Sequence, residues 1–186
     1  MEGKITIITG LCGVGKTAEL IDIFRIRTNH GSIPYDAFKP VCKSSRGGAN
    51  IVSRAKNTVI PCRLIKSAKE INTSRNRLIF IDEFSFLDAK DLKKEVKELK
   101  KRGADIYLCG LDRDFTTKYF EAYKKLSKIA DRMIILQTRC EEEKCKKLAC
   151  CSSLIEYGAD NSLSTSKGAV YKPLCLKHHN KQSLKR

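Results

Sequence analysis

Residues 10–17 read Gly-Leu-Cys-Gly-Val-Gly-Lys-Thr, which matches the phosphate-loop pattern G-x-x-x-x-G-K-[ST]. The glycines of such a loop let the backbone curl so that its N–H groups face a bound phosphate. Lys16 is expected to reach the β- and γ-phosphates, and the Thr17 hydroxyl is expected to bind Mg²⁺. The motif therefore predicts a site for a nucleoside triphosphate such as ATP, built from Gly10, Leu11, Cys12, Gly13, Val14, Gly15, Lys16 and Thr17.

An acidic pair, Asp82-Glu83, directly follows the apolar run 78–81. A carboxylate at the carboxyl end of a buried strand is where many phosphate-loop proteins hold Mg²⁺, and we assign Asp82 to that metal. Glu83 comes one residue later and can face the other way. It can position water, as in an ATPase, or accept the proton of a substrate hydroxyl, as in a kinase. The residues alone leave this choice open.

Most of the cysteines in the last quarter of the chain fall into close pairs with the spacing of metal ligands. The pairs Cys140-x4-Cys145 and Cys175-x2-His178 suit tetrahedral zinc, and four protein ligands make such an ion structural rather than catalytic. Other residues are alternative ligands: Cys150, Cys151 and His179.

These groups need a scaffold, and the apolar pattern predicts one. Buried strands are predicted at 5–9, 77–82, 105–109 and 132–136. Helices are predicted at 17–28, 64–71, 116–129 and after a cap at Asp88. This alternation indicates an α/β fold of the P-loop type, with a mostly parallel sheet covered by helices on both faces and a small C-terminal zinc-binding segment. The predicted organisation is a nucleotide-binding domain at 1–138, a zinc-binding and substrate-binding segment at 139–179 and a basic tail at 180–186.

Composition limits the other possibilities. A chain of 186 residues can hold one core, and no apolar run is long enough to cross a membrane. The sequence enters a strand almost at once, without a signal peptide, and we expect a cytoplasmic protein.

The net charge is +16, which favours phosphate-bearing partners. However, the basic residues are spread over predicted helix faces and do not alternate with aromatic residues, so we do not expect nucleic acid as a partner. Two alternative functions stay open: a basic P-loop ATPase that binds nucleic acid through its zinc segment, and a catalytically weak nucleotide binder that acts through partners.

The order of these motifs resembles the zinc-containing, class II thymidine kinases from about residue 4 to residue 178. The segments that carry the resemblance are Gly10–Thr17 with Ala18-Glu19-Leu20, Phe38-Lys39-Pro40, Val52-Ser53-Arg54, Ile81-Asp82-Glu83-Phe84-Ser85-Phe86, Gly110-Leu111-Asp112-Arg113-Asp114-Phe115 and Tyr171-x3-Cys175-x2-His178.

The resemblance implies a mechanism and a fuller set of site residues. The family transfers the γ-phosphate of ATP to the 5′-hydroxyl of thymidine with Mg²⁺, and it forms tetramers. Glu83 would then be the general base, and the ATP contacts would extend over Asp82, Glu83, Phe84 and Ser85, with Arg46 near the phosphates. The nucleoside would be held by Phe86, Phe115, Ser152, Tyr171 and a lasso-like loop containing Ser162, Leu163, Ser164, Thr165 and Ser166.

The chain also departs from the family pattern. Ser166-Lys167 replaces a Gly-Gly pair, Cys12-Gly13 replaces Met-Phe, and Ser85 replaces a glutamine. The family has an acidic residue shortly after Lys39-Pro40, and this chain has the stretch 43–46, Lys-Ser-Ser-Arg, in its place. The preferred nucleoside, thymidine or deoxyuridine, therefore stays open.

Overall fold

The computed structural model describes residues 1–41, 48–53, 59–156 and 169–183. Its strands are β1 (Ile5–Gly10), β2 (Asp36–Pro40), β3 (Asn50–Val52), β4 (Val59–Pro61), β5 (Arg63–Ile65), β6 (Leu78–Ile81), β7 (Asp105–Cys109), β8 (Arg132–Leu136), β9 (Cys151–Glu156) and β10 (Val170–Leu174). Its helices are α1 (Lys16–Arg27), α2 (Ala89–Lys101), α3 (Glu121–Leu126) and α4 (Leu176–Ser183). Short 3₁₀ turns lie at Ala68–Thr73 and Phe84–Phe86.

A parallel sheet forms the centre of the molecule. Six strands follow the order β5-β2-β6-β7-β1-β8, and every neighbouring pair is parallel. The runs that form β1 and β6 are buried along their whole length, as strands covered on both faces must be.

Alternate side chains of each strand enter two separate cores. Ile7 and Ile81 pack towards α2, α3 and the turn at 68–73. Ile8 and Phe80, each one residue away along its strand, pack on the other side with α1 and the β3–β4 ribbon. The predicted α/β fold with helices on both faces is therefore confirmed, and the carboxyl ends of its strands form one edge where functional groups can meet.

The ends of α2 show how local sequence fixes a helix. The Asp88 side chain accepts hydrogen bonds from the N–H groups of Lys90 (3.0 Å) and Asp91 (2.8 Å), as predicted for its cap. Gly103 follows the helix with φ of 85°, a left-handed conformation that glycine adopts without strain.

Two predicted helices are wrong in part. The helix predicted at 64–71 is replaced by β5 and the 3₁₀ turn, because Leu64 pairs with Lys39 of β2 and Ser67 starts a capping box with Glu70. The helix predicted at 116–129 shrinks to α3, because Asp114 accepts N–H bonds from Thr116 and Lys118 and turns the chain back on itself. In both places tertiary pairing and side-chain capping outweigh helix propensity.

The C-terminal part forms a β9–β10 hairpin followed by α4, none of which the apolar pattern indicated. Helix α4 reaches into the range predicted as a basic tail, so that range is helical as far as residue 183. None of the helices within the described residues is long and apolar enough to cross a membrane.

Candidate active site and zinc cluster

The phosphate loop connects β1 to α1 at the carboxyl edge of the sheet. Gly10, Gly13 and Gly15 all have positive φ, at 143°, 82° and 92°. A Cβ atom at Gly10 would lie 2.4 Å from the Leu136 carbonyl oxygen, so this position admits no side chain. The first N–H groups of α1 lack partners within the helix, which makes its start a natural anion site.

Lys16 lies over this loop. Its Nζ donates a hydrogen bond to the Leu11 carbonyl oxygen at 2.6 Å. Its charge also acts on the carboxyl groups of Asp82 and Glu83, which brings the loop and the acidic pair into one electrostatic site. Thr17 is partly exposed in the first turn of α1.

The acidic pair follows β6 directly. Asp82 is buried, with 4% of its surface exposed, and its N–H donates to the Phe38 carbonyl oxygen of β2 at 3.0 Å. Glu83 has φ of 56°, which is uncommon for a residue other than glycine and recurs at functional sites. Burial, reinforced by the charge of Asp82, raises the pKa of Glu83 to about 7. Burial also raises the pKa of Asp82.

Two further residues of this site were not predicted from the sequence. Lys39 of β2 is only 3% exposed, donates to the Asn50 carbonyl oxygen at 3.1 Å, and its charge lowers the pKa of both carboxyl groups. Cys109 of β7 is buried, and its interaction with Asp82 opposes the rise in the pKa of that carboxyl group. Lys39 lies in the matching segment Phe38-Lys39-Pro40, and Cys109 ends the predicted strand 105–109, but the strand order that brings both to Asp82 was unknown.

The segment after the acidic pair packs against the loop that follows β7. Ser85 donates to the Leu111 carbonyl oxygen at 2.7 Å. Gly110 passes so close that a Cβ there would lie 2.6 Å from Ser85 Oγ. Phe84 is fully buried in the core.

The two aromatic residues assigned to the nucleoside are both partly exposed near this contact. Phe86 packs edge-on against Phe120 with ring centroids 5.7 Å apart. Phe115 lies in the loop that Asp114 closes. The other loop residues assigned by resemblance, Arg46 and Ser162–Ser166, lie outside the described residues.

The four preferred zinc ligands come together. The ligand atoms of Cys140, Cys145, Cys175 and His178 all lie within 4.8 Å of one another. Cys140 Sγ and Cys175 Sγ are 3.3 and 3.4 Å from His178 Nδ1. Cys145 Sγ and Cys175 Sγ are 4.0 Å apart. A tetrahedral zinc ion separates its sulfur and nitrogen ligands by about 3.5–3.8 Å, so the donor types and distances fit zinc.

The alternative ligands are engaged elsewhere. Cys150 Sγ lies 3.5 Å from Cys151 Sγ, and His179 Nδ1 lies 2.7 Å from Ser153 Oγ. The x4 spacing of the first pair is spanned by a loop in which Cys140 N–H donates to the Lys147 carbonyl oxygen at 2.8 Å and Cys145 N–H donates to the Glu142 carbonyl oxygen at 3.0 Å. The cluster closes the base of the β9–β10 hairpin, since Cys175 directly follows β10.

The hairpin reaches the phosphate loop through Ser152. This residue of β9 is 3% exposed, and its Oγ accepts a hydrogen bond from the Cys12 N–H at 2.9 Å. Tyr171, on β10, is partly buried and pairs with Leu154. The zinc-binding segment is therefore in direct contact with the nucleotide-binding loop.

A parallel sheet with a phosphate loop after its first strand and an acidic pair at the end of a central strand defines a P-loop nucleotide-binding protein. The family model described as thymidine kinase matches residues 3–179. This chain belongs to the thymidine kinase family.

Thymidine kinases from several bacteria are similar in sequence to this chain over most of its length. The thymidine kinase of Pseudothermotoga lettingae is 29% identical over 199 residues, covering 100% of this chain and 99% of the relative. That of Porphyromonas gingivalis is 29% identical over 183 residues, covering 98% of this chain and 87% of the relative. That of Mesomycoplasma hyopneumoniae is 32% identical over 152 residues, covering 80% of each chain.

Proposed function

We propose that this protein transfers the γ-phosphate of ATP to the 5′-hydroxyl of thymidine or deoxyuridine and releases the nucleoside 5′-monophosphate and ADP. Membership of the thymidine kinase family supports a nucleoside-phosphorylating enzyme that uses ATP and Mg²⁺. At the level of the site, one observation carries the mechanism: Glu83, with a pKa raised to about 7, shares the carboxyl edge of the sheet with Lys16 of the phosphate loop.

The phosphate loop would hold the triphosphate. Its backbone N–H groups and the start of α1 would face the β-phosphate, and Lys16 would exchange the Leu11 carbonyl oxygen for phosphate oxygens. The Thr17 hydroxyl and the Asp82 carboxylate would hold the Mg²⁺ that accompanies ATP.

Glu83 would act as the general base. Its carboxylate would accept the proton of the 5′-hydroxyl as the hydroxyl oxygen bonds to the γ-phosphorus, and the bond from that phosphorus to the bridging oxygen of ADP would break. A carboxyl group with a pKa near 7 is well matched to this task at neutral pH, since about half of it is ionised and it is basic enough to take a proton.

The nucleoside would lie between the phosphate-loop edge and the zinc-anchored hairpin. Side chains from both sides would contact it: Phe86, Phe115, Ser152 and Tyr171, together with the loop residues Ser162–Ser166 and with Arg46 near the phosphates. A zinc ion bound by Cys140, Cys145, Cys175 and His178 would supply a structural cross-link at the base of the hairpin. A homo-oligomer, a tetramer by the family resemblance, and a cytoplasmic location remain predictions.

The test is an activity assay on the purified chain with MgATP and a panel of nucleosides, scored for both ADP and nucleoside 5′-monophosphate. We expect ADP to appear only with thymidine or deoxyuridine and in equal amount to the monophosphate. Lys16→Ala should abolish both products, because the phosphates lose their cation. ATP consumption that ignores nucleosides but rises with added DNA would overturn the proposal and favour a nucleic-acid-binding ATPase.

A further inference from the structure

The contact between Ser152 and Cys12 joins two parts of the chain that lie 140 residues apart. One partner is a side-chain hydroxyl buried at the end of the β9–β10 hairpin, and the other is a backbone N–H in the phosphate loop. The distance of 2.9 Å is that of a well-formed hydrogen bond. Loss of the Ser152 hydroxyl would leave the part-buried Cys12 N–H without this acceptor, which costs free energy, so the contact holds the two parts together.

The hairpin end of this contact is anchored to the zinc cluster. Cys151, next to Ser152, pairs with Leu174, and Leu174 directly precedes the ligand Cys175. Cys150 N–H adds a hydrogen bond to the Leu174 carbonyl oxygen at 2.9 Å. A short and continuous set of bonds therefore runs from the zinc ligands to the phosphate loop.

The loop end of the contact lies in a glycine-rich part of the phosphate loop, where the backbone has many accessible conformations. Cys12 stands between Gly10 and Gly13, both of which have positive φ. Glycines leave a backbone segment many alternative conformations, and an external hydrogen bond in their midst reduces that freedom. The Cys12 N–H donates to Ser152. The N–H groups that follow it in the loop would therefore bind the phosphates.

We infer that Ser152 is a positioning residue that couples the two substrate sites, because it ties the conformation of the phosphate loop to that of the hairpin. A nucleoside that orders the hairpin would also order the phosphate loop and tighten nucleotide binding, and by reciprocity a bound nucleotide would tighten nucleoside binding. The nucleoside half of this inference rests on the function proposed above, and the nucleotide half does not.

Binding of MgADP, measured by titration calorimetry with and without saturating thymidine, separates these two halves. ADP has no γ-phosphate, so the complex with thymidine does not react. For the unmodified chain we expect thymidine to tighten ADP binding at least about fivefold, within the usual range of such coupling. Ser152→Ala should weaken ADP binding alone by about 2- to 10-fold, the worth of one hydrogen bond. In this variant, saturating thymidine should leave the affinity for ADP almost unchanged.

Two sets of variants provide controls. Ser152→Thr and Ser152→Val have the same shape and differ in the hydroxyl, so the first should retain the coupling and the second should lose it, even if the alanine variant folds poorly. Ser153→Ala removes the neighbouring buried hydroxyl, which bonds His179 inside the zinc segment, and should behave like the unmodified chain. Zinc content measured for each variant verifies that the hairpin is intact.

The outcomes distinguish this inference from the proposed function. Equal coupling in Ser152→Val and Ser152→Thr, or no coupling in the unmodified chain, would overturn the inference and leave the kinase proposal intact. Unchanged binding of ADP alone by Ser152→Ala would overturn the anchoring role. Failure of the unmodified chain to bind either thymidine or deoxyuridine while it binds ADP would overturn the proposed function and this coupling together.

Discussion

The thiol of Cys109, at the end of β7, interacts with the carboxylate of Asp82, which directly follows β6, and each group affects the pKa of the other. Both groups are buried, at 1% and 4% exposed. Burial raises the pKa of the Cys109 thiol well above its ordinary range, so the thiol keeps its proton and can donate it to Asp82. Burial raises the pKa of Asp82, and the interaction with Cys109 opposes that rise, which favours the ionised form that a magnesium ligand needs.

Removing the Cys109 thiol should weaken the binding of Mg²⁺ at Asp82. We predict that Cys109→Ala raises the Mg²⁺ concentration for half-maximal turnover by about tenfold, in line with the loss of a hydrogen bond to a charged group. Cys109→Ser keeps a donor and should stay close to the unmodified enzyme. Titration of turnover with Mg²⁺ at fixed ATP measures the effect, and Cys150→Ala, at an exposed thiol, is the matched control. Identical Mg²⁺ curves for the alanine and serine variants would contradict this role.

Loss of the carboxylate at Glu83 should remove general-base catalysis. We predict that Glu83→Gln lowers turnover by ~10²–10⁴-fold while MgADP binding is retained. The matched control is Glu98→Gln, which changes an exposed carboxylate on α2 and should leave turnover unaltered. Near-normal turnover of Glu83→Gln would take the role of base away from this residue.

The raised pKa of Glu83 also predicts how turnover depends on pH. A general base must be ionised, so kcat should fall as the pH drops below about 7, the pKa to which burial and the charge of Asp82 raise this group. The measurement is kcat at saturating substrates from pH 5.5 to 8.5. A profile that stays flat down to pH 5.5 would show that the base has an ordinary carboxyl pKa.

The raised pKa of Glu83 also predicts how the stability of the folded chain depends on pH. The pKa of Glu83 rises from 4.5 to about 7 on folding, so the folded chain binds this proton more tightly than the unfolded chain does. The stability contributed by the protonated group is present below pH 4.5 and is lost as the pH rises towards 7. Glu83→Gln should therefore melt at a higher temperature than the unmodified chain at pH 8, and the difference should narrow towards pH 4.5. A variant of equal or lower Tm at pH 8 would argue against the buried charge.

We predict that full turnover at pH 7 requires the positive charge of Lys39. Its ammonium group lowers the pKa of both Asp82 and Glu83, so Lys39→Met should raise both values and reduce turnover at pH 7 by about tenfold or more. Part of that loss should be recovered above pH 8, where Glu83 ionises again. Lys39→Arg should keep more activity than Lys39→Met.

A control variant separates this local effect from the general charge of the protein. Lys97→Met removes an exposed lysine of α2 and should leave the pH profile in place. A loss in Lys39→Met that is the same at every pH would indicate a purely structural role, through the hydrogen bond to Asn50.

The zinc cluster predicts about one zinc ion per chain. Cys145→Ser should lose the metal and lower the Tm, because three ligands hold the ion less tightly than four. Cys150→Ser should keep it, since Cys150 lies against Cys151 outside the cluster. Metal analysis of the purified variants checks both expectations. Full zinc content in Cys145→Ser, or its loss in Cys150→Ser, would require another ligand set.

Features encoded by neighbours along the chain were predictable from sequence. The phosphate loop needs glycines, a lysine and a threonine at fixed spacing between a strand and a helix, and the structure has that order. The cap at Asp88 and the acidic pair at the end of β6 are similarly local. The pairs Cys140-x4-Cys145 and Cys175-x2-His178 were preferred as zinc ligands from their spacing, and these four residues come together, whereas the choice against Cys150, Cys151 and His179 was left open.

Contacts between distant segments were not predictable in this way. Lys39 and Cys109 join the acidic pair only because β2 and β7 flank β6, an order that no single strand encodes. The short α3 and the turn at Ala68–Thr73 arose where side-chain capping and strand pairing overrode helical patterns. Ser152 reaches Cys12 because the β9–β10 hairpin packs against the phosphate loop, a contact between residues 140 positions apart.

The sequence by itself determined the type of chemistry, because phosphate and metal sites are built from residue types at short spacings along one chain segment. Only the tertiary structure decided which buried groups tune those sites and which surfaces touch, because strand order and hairpin packing bring together residues that are distant along the chain. Local bonding rules act within a few residues, whereas the packing of a whole core selects among many arrangements that satisfy those rules equally well.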